Sequence, residues 1–492
     1  MRPEQAVGFG RRGSTTWSRR RFLAGMVAGG LVASTGACAE RPGGPDGRVL
    51  RVGVVAPRTG ALSALAAGDR VVIDDVRDHL VEGLALGGVV HPLDVPVADS
   101  GSTVGGAREA TRELVRRGVD VIIASSSATT VVPVAALCEE AGVPCVTSMV
   151  PYEVVHAGLG LDPADTTVGP AWVRHLGPGA DDVAAALCAM WATAPAAGTL
   201  VATVFAAGAA GSARGFAAAL AAHGYSVLDA PPGGDAPIVD LDPAEPDFGP
   251  LIARFAAAGA GIVAGSLDPP DFAAFWRQTG AAGFAPAAVS VAPATLSAAT
   301  VADLAGPVES VESAESGPAD GGSRGEVDAV ASASPVAEDV AARHRPPFGA
   351  GRSGVGLSTE LWWSPTTGTR SSLTGASASR LGRAHVRAGG SPSTQTLGPL
   401  HAAFEVVVEA WRRLGRPGPP ADLVAAIDDV RLATVLGPVS FADGPAPGVA
   451  ATPVGAGQWT GRPEAPELAT IIAPDPAAST GPRSLRMLDP AG

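Results

Sequence analysis

The stretch that decides the fold is residues 119–148, which read VDVIIASSSATTVVPVAALCEEAGVPCVTS. Its first part, 119–127, is an apolar run that ends in three serines and predicts a buried strand. A helical pattern follows at 129–141, and a second short strand is predicted at 143–148. Two apolar strands separated by a helix indicate a βαβ unit, from which a parallel sheet covered by helices on both faces is built.

The same alternation extends toward the N-terminus. Strands are predicted at 49–57 and 93–99, and helices at 66–86 and 105–118. Together with the segment above, these elements predict one α/β lobe.

A second α/β unit of similar size follows an irregular stretch at 149–170. Its predicted helices are 180–193, 212–223, 248–258 and 270–280, and its predicted strands are 198–206, 225–229, 261–266 and 287–292. Two Rossmann-like lobes in tandem, with crossings between them, leave a cleft at their junction.

The remaining segments complete these two lobes or lie outside them. Residues 305–354 are rich in Ser, Ala, Gly, Glu and Pro, and this composition is typical of a low-complexity insertion. The predicted boundaries are 49–168 and 355–445 for lobe 1 and the hinge return, 169–304 and 446–478 for lobe 2 and the hinge, and 479–492 for a loose tail.

The first 38 residues have the pattern of an export signal. Arg19 and Arg20 lie in SRRRFL, which resembles the twin-arginine motif, and a short apolar run follows. The sequence TGAC that ends at Cys38 resembles a lipobox, so lipidation of Cys38 is predicted; the alternative is ordinary cleavage near Ala37. Residues 39–48 read as a flexible tether. We therefore expect an exported protein, lipid-anchored to the outer face of the cytoplasmic membrane.

Charge argues against a nucleic-acid partner. The net charge is −13, and the first 37 residues contribute +5 from six Arg and one Glu, which leaves −18 for the rest. Nucleic-acid affinity comes largely from basic side chains on phosphates, so an acidic body does not suit it.

An enzyme is the main alternative from another class of function, and the sequence does not favour it. The chain has no Lys, which excludes a phosphate-binding P-loop lysine and a Schiff-base lysine. Motifs of serine hydrolases and zinc proteases are missing, and the eight His are scattered. His401 and Glu405 share a helix face and can hold a metal, but core packing or a solvated pair is more typical. No metal and no cofactor are predicted.

Several segments together resemble the type I periplasmic solute-binding proteins of ABC importers, in the branched-chain amino acid and amide class. Residues 49–68 resemble that family's first strand and ligand-contacting loop, and residues 119–151 resemble its Ser/Thr-rich loop and the following strand. Segments 271–286, 357–365 and 397–411 resemble an actinobacterial branch of the family especially closely.

The resemblance implies two lobes joined by three crossings, with a small solute trapped between them when the lobes close. It also implies a monomer without catalytic activity that delivers its ligand to an ABC permease and ATPase. A ligand-sensing receptor and a drifted paralogue with the same fold remain alternatives.

Hydroxyl groups follow the predicted strands of lobe 1. Ligands of doubly wound sheets lie beyond the carboxyl ends of the strands, where this lobe has Ser125, Ser126, Ser127, Thr147 and Ser148. Hydroxyls beside helix N-termini suit a carboxylate, and the family binds the ligand carboxylate at the loop that matches 125–127. The alternative for this loop is an N-cap of helix 129–141.

Lobe 2 offers Phe205, Ser266 and Asp268 at the matching edge. Amino-acid-binding members of the family hold the ligand ammonium with a tyrosine and an acidic residue. By alignment this chain has Ala210 there instead of the tyrosine, and Pro293 or Ala294 instead of the acid.

An unpaired ammonium in a closed cleft costs on the order of several kcal/mol, so the missing acid matters. Asp268 or Glu360 can substitute for it; otherwise the ligand is not an α-amino acid.

Aromatic side chains near the predicted hinge are Tyr152, Trp362 and Trp363. They can form a wall for an apolar part of the ligand, or pack at the lobe junction. The two tryptophans cannot both face the cleft if they belong to a strand.

Cys138 and Cys145 are close in sequence. In an oxidising compartment a disulfide between them is plausible, and two buried thiols are the alternative.

Overall fold

The computed structural model describes residues 47–206, 210–228, 238–239, 246–305, 352–474 and 484–488. The export signal with Arg19, Arg20 and Cys38 lies outside the described residues, as does most of the low-complexity insertion. The described residues belong to one compact unit. Within the described part of the chain, no helix is both long and apolar enough to cross a membrane.

Up to the first crossing the elements alternate as the apolar runs predict. They are β1 (Leu50–Ala56), α1 (Asp69–His79), β2 (Leu84–Leu86), β3 (Val89–His91), β4 (Leu93–Asp94), β5 (Val97–Asp99), α2 (Val104–Arg116), β6 (Val121–Ser125), α3 (Ala128–Ala141), β7 (Cys145–Ser148), α4 (Tyr152–Gly158) and β8 (Val173–Leu176).

The chain then builds most of lobe 2. Its elements are α5 (Ala180–Trp191), β9 (Leu200–Ala206), α6 (Ala210–Ala222), β10 (Ser226–Leu228), β11 (Ile238–Val239), α7 (Gly249–Ala258), β12 (Ile262–Leu267), α8 (Pro269–Ala281), β13 (Ala288–Pro293), α9 (Ala298–Asp303) and β14 (Ser358–Leu361).

The last part of the chain returns to lobe 1 and ends in lobe 2. Its elements are α10 (Ala378–Arg387), α11 (Leu397–Leu414), α12 (Pro420–Asp428), β15 (Arg431–Thr434), β16 (Gly437–Ser440), β17 (Val449–Ala450), β18 (Gly455–Arg462) and β19 (Ala465–Ile472).

Two separate sheets form the two lobes. The first has the order β17-β8-β7-β6-β1-β4, with β5 also on β1, and its strands run parallel. The second has the order β10-β9-β12-β13-β14-β18-β19, with β11 on β9, and only the β14–β18 and β18–β19 pairs are antiparallel. The chain passes between the sheets after β8, β14 and β17. The α/β fold with two parallel-sheet lobes and three crossings is confirmed.

Each sheet is packed on both faces. In lobe 1, α11 lies in the larger cluster with Trp363 and Phe404, while α2 and α3 cover the other face. In lobe 2, rings such as Phe255, Phe272 and Trp276 fill one face, and α5 with Trp191 covers the other. Burial on both faces explains why the strands read as continuous apolar runs.

Two predicted boundaries within lobe 1 differ from the structure. The helix expected at 66–86 ends at His79, and residues 84–86 form a hairpin strand instead. Gly83, Gly87 and Gly88 have positive φ angles of 93°, 56° and 88°, which suit the turns around that hairpin. Lobe 1 extends past the predicted end at 168, because β8 pairs with β7.

The end of the chain also differs from the predicted loose tail at 479–492. Leu485 and Leu488 are buried in the lobe 2 cores. The Gln458 side chain holds this segment: its Nε2 donates to the Arg486 carbonyl at 2.6 Å, and its Oε1 accepts from the Arg486 N–H at 2.9 Å. Residues 484–488 are therefore part of lobe 2.

A buried polar network lies inside lobe 1. His401 Nδ1 is 3.1 Å from Glu405 Oε1, and His401 Nε2 is 3.3 Å from Asp75 Oδ2. Glu405 also accepts from the backbone N–H groups of Ser372 and Val435 at 2.6 and 3.0 Å. The pair considered for a metal is thus occupied by hydrogen bonds of the fold.

This network makes stability depend on pH through His401. Burial lowers the pKa of His401, but its hydrogen bonds with Asp75 and Glu405 outweigh burial and raise the pKa overall. A raised folded-state pKa contributes stability below about pH 6.5, which is lost as pH rises through the folded-state value.

We expect His401→Gln to lower stability by about 1.5–3 kcal/mol at pH 6, the range for hydrogen bonds to charged groups, and by less at pH 9. Denaturant unfolding at both values measures the difference. His79→Gln, at an exposed position of α1, is the control. An equal loss at the two pH values would contradict the assignment.

Candidate functional site

The three serines lie in lobe 1 at the carboxyl end of β6, and all three are buried. Ser125, Ser126 and Ser127 are 7, 1 and 3 % exposed. Ser127 occupies the N-cap position of α3 with an extended backbone, but its side chain makes no capping hydrogen bond. Among the described residues, the Oγ atoms of Ser126 and Ser127 have no hydrogen-bond partner. A buried unpaired hydroxyl is costly, so two side by side point to a group that they bind.

Thr147 and Ser148 are used within lobe 1. Ser148 Oγ donates to Ser125 Oγ at 2.8 Å, and Thr147 Oγ1 lies 2.9 Å from His175 Nδ1. Burial lowers the pKa of His175 to about 3, so its ring is neutral. These two residues orient the serine loop and the adjacent strand rather than presenting free hydroxyls.

A cluster of apolar side chains from both lobes lies beside the serine loop. We call it the inter-lobe cluster; its members are Leu62 and Leu65 after β1, Met149 after β7, Leu296 after β13, and Trp362 after β14. Trp362 is 3 % exposed, and its Nε1 has no hydrogen-bond partner among the described residues. Because Met149 directly follows Ser148, this cluster adjoins the serine loop.

The adjacent tryptophans face opposite ways. Trp363 lies in the lobe 1 core, where its Nε1 donates to the Val435 carbonyl at 3.0 Å. The backbone of Trp362 is held by Gln395, whose Oε1 accepts from the Trp362 N–H at 2.9 Å. Only Trp362 is available to a ligand in the cleft.

Two other predicted aromatic residues pack elsewhere. Tyr152 lies against Ala446 and Val449, and burial, aided by Glu153, raises its pKa to about 12. Phe205 packs on Ala213 and Phe216, with ring centroids 6.2 Å apart. Neither belongs to the inter-lobe cluster.

The polar candidates of lobe 2 are Ser266, Asp268 and Glu360. Ser266 is half-buried near the end of β12. Asp268 Oδ2 accepts a hydrogen bond from Thr129 Oγ1 of lobe 1 at 3.0 Å. Glu360 is 7 % exposed, and burial raises its pKa, although Trp362 and Thr359 partly oppose this. The Trp362 indole thus lies near this carboxyl without forming a well-aligned hydrogen bond.

A cavity of about 540 Å³ opens between the lobes next to the inter-lobe cluster. We call it the outer cavity. Its lining is formed by small residues of the loop after β1 and by α8 and α9: Gly60, Ala61, Ser63, Ala64, Ala67, Pro269, Ala273, Ala299, Thr300, Asp303 and Leu304. Ser125–Ser127 do not line it. Leu62 and Leu65 of the same loop belong to the inter-lobe cluster instead, so this loop lies between the outer cavity and that cluster.

Three residues of the structure were not among the predicted site residues: Thr129, Asp69 and Gln395. Thr129 lies inside a predicted helix, and Gln395 inside an unassigned segment, so no pattern pointed to either. Asp69 begins α1 and is 8 % exposed. Burial raises the pKa of its carboxyl to about 8, against an opposing effect of Arg58.

The three cysteines of the described chain are free thiols. Cys138 and Cys145 are buried free thiols, not a disulfide, and Cys188 is a third buried thiol. Contact with Cys138 and burial raise the pKa of Cys145. Within the described ranges no group of three or more His, Cys, Asp or Glu side chains is arranged to hold a metal ion.

The sequence matches the family of periplasmic binding proteins over residues 49–462. No curated protein matches it significantly.

Solved structures show the same fold at low identity. The leucine-binding protein LivK from Thermotoga maritima is 15 % identical with a TM-score of 0.60, covering 87 % of this chain and 99 % of that one. A leucine-, isoleucine-, valine-, threonine- and alanine-binding protein from Brucella ovis, in a closed conformation, is 12 % identical with a TM-score of 0.59, covering 86 % and 94 %.

An ABC transporter solute-binding protein from Rhodopseudomonas palustris in complex with 4-hydroxybenzoate is 16 % identical with a TM-score of 0.57, covering 86 % of this chain and 96 % of that one.

The Asp69 carboxyl gives a second test of pH dependence. An unfolded Asp ionises near pH 4, whereas the folded carboxyl stays protonated up to about pH 8, so stability falls as pH rises between these values. We expect Asp69→Asn to raise Tm at pH 8 by about 1 °C for each kcal/mol recovered, and to leave Tm unchanged at pH 4. Asp78→Asn, exposed on the same helix, is the control. A gain at pH 4 equal to that at pH 8 would rule out this ionisation.

Proposed function

The chain belongs to the periplasmic binding protein family, and on that premise we propose that it is the lipid-anchored binding subunit of an ABC importer. In this role it captures a small carboxylate-bearing solute between its lobes and presents it to a membrane permease and its ATPase. Family membership places the protein outside the cytoplasm and agrees with the expectation that it is not an enzyme.

The observation that carries the proposal is the pair of buried hydroxyls of Ser126 and Ser127, which have no partner in the part of the chain that the structure describes. They lie at the N-terminus of α3, where helix N–H groups favour an anion. A ligand carboxylate would accept from both hydroxyls and remove the cost of burying them unpaired.

The rest of the ligand is expected to be apolar. The inter-lobe cluster supplies Trp362 and aliphatic side chains beside the serine loop. Ala294, one of the two candidates for the family's acidic position, is a buried core residue of lobe 2. An apolar or aromatic monocarboxylate suits this lining better than an α-amino acid, and the Rhodopseudomonas palustris relative was solved with such an acid.

A thermal-shift screen tests the solute class. Residues 39–492, which contain the whole compact unit, should gain stability with aromatic or short apolar carboxylates, and less with the matching α-amino acids. A ligand at 100 times its Kd contributes about 2.7 kcal/mol. If no carboxylate, amide or amino acid raises the Tm, the proposal is wrong.

Serine variants locate the site. Ser126→Ala and Ser127→Ala should abolish the ligand-induced shift while leaving the unliganded Tm equal or slightly higher, because each removes an unpaired buried hydroxyl. Ser226→Ala, at an exposed strand edge, is the control and should keep the full shift. If both serine variants keep the full ligand-induced change in Tm, the ligand carboxylate does not bind at Ser126 and Ser127.

The anchor is tested separately. We expect Cys38→Ala to move the protein from the membrane fraction to the soluble exported fraction, because a diacylglyceryl group on Cys38 would be lost. Immunoblots of fractionated cells measure this. Unchanged membrane association would contradict lipidation at Cys38, and cytoplasmic accumulation of Arg19→Gln/Arg20→Gln would support the export signal.

A further inference from the structure

One side-chain hydrogen bond crosses the cleft immediately beside the serine loop. Thr129 Oγ1 of lobe 1 donates to Asp268 Oδ2 of lobe 2 at 3.0 Å. Thr129 is in the first turn of α3, two residues after Ser127, and Asp268 precedes α8. The two helices belong to different lobes and face each other from the carboxyl ends of β6 and β12.

The sequence after Asp268 reduces the number of local donors that compete for its carboxylate. Asp268 occupies the N-cap position of α8, where an aspartate ordinarily accepts from the N–H of the second or third helical residue. The first two helical residues here are Pro269 and Pro270, which have no N–H, so of the two usual capping donors only the Asp271 N–H remains. Asp268 makes no capping hydrogen bond, and its Oδ2 binds Thr129 instead.

Thr129 is likewise without a local partner. Threonines inside a helix commonly donate to the carbonyl four residues earlier, as Thr111 does to Ala107 at 2.7 Å. Thr129 is in the first turn, where the residue four positions earlier is Ser125 in β6. Its hydroxyl is therefore available to the opposite lobe.

We propose that Thr129 and Asp268 form a closure latch, a pair of positioning residues that stabilises the closed lobes and thereby tightens solute binding without contacting the solute. The inference rests on the proposed function for its effect on affinity, but not for its effect on the lobes. It replaces the predicted role of Asp268 as a ligand contact.

The physical basis is that the bond requires closed lobes. The lobes are joined by three crossings, so rotation about them separates α3 from α8 and breaks a hydrogen bond of 3.0 Å. A solute that binds only between closed lobes gains the latch's contribution through the conformational equilibrium.

The first test measures the lobes directly. Spin labels at Val104→Cys on α2 and Ala257→Cys on α7, both exposed, report the inter-lobe distance. Thr129→Val keeps the shape of the side chain but removes the donor, and it should add a longer-distance population in the protein without solute. Thr129→Ser keeps the donor and should retain the parent distribution. Thr166→Val, at an exposed loop position, is the matched control.

The second test measures affinity with 4-hydroxybenzoate as the probe. Thr129→Val and Asp268→Ala should each weaken binding about tenfold, which is 1.4 kcal/mol. The double variant should be no weaker than either single variant, because both remove the same bond. Asp268→Asn keeps an acceptor and should stay within about twofold of the parent protein.

The outcomes separate the latch from the function. If Thr129→Val leaves both the distance distribution and the Kd unchanged, the latch is overturned. If 4-hydroxybenzoate binds no form of the protein but Thr129→Val still opens the lobes, the latch stands and the proposed solute class fails. If affinity falls equally in Thr129→Ser and Thr129→Val, Thr129 does not act through its hydroxyl and the latch is overturned.

Discussion

Parallel pairing places the carboxyl ends of neighbouring strands at the same edge of a sheet, and the contents of the cleft follow from this constraint. In lobe 1, β6 and β7 pair so that Ser125 lies opposite Ser148, and their hydroxyls bond at 2.8 Å. In lobe 2, β12 and β13 end together near Asp268 and Leu296. Because three crossings turn these two edges toward each other, hydroxyls from one lobe meet apolar and acidic side chains from the other.

The presence or absence of a hydrogen-bond partner for a buried polar group then helps to separate structural residues from candidate ligand contacts. Glu405 and Thr147 are buried, and the fold provides each with hydrogen-bond partners. Glu153 spans the lobes at the first crossing, where its two carboxylate oxygens each accept from the Ala180 N–H at 3.0 Å. By contrast Ser126 and Ser127 have equal burial and no partner within the described chain. Buried groups without a partner also occur elsewhere, as at Thr203, so what singles out the two serines is that they lie side by side between a strand end and a helix N-terminus.

The sequence predicts most elements of the fold because buried parallel strands leave apolar runs. The prediction fails for β8, whose sequence VRHL is not an apolar run. Its polar residues are buried because Arg174 bonds Asp428 and His175 bonds Thr147 inside the lobe. The prediction also fails where partners are distant in sequence, as for the tail segment held by Gln458. The serine loop was predictable from its place after a strand. The partner of Asp268 was not, because Thr129 lies 139 residues away in a helix with no polar pattern.

The acids around the cleft bear on which solutes it can hold. Asp268 is committed to Thr129, and burial raises its pKa. Burial also raises the pKa of Glu360 beside Trp362. An ammonium group would have to draw Asp268 away from Thr129 and lose a contact between the lobes, or else pair with Glu360, whose charged form is disfavoured by burial. At the proposed site a ligand with only a carboxylate would incur neither cost, because the serine hydroxyls would donate to it while the contact across the cleft stays intact. The proposed site would thus couple selectivity against α-amino acids to closure of the lobes.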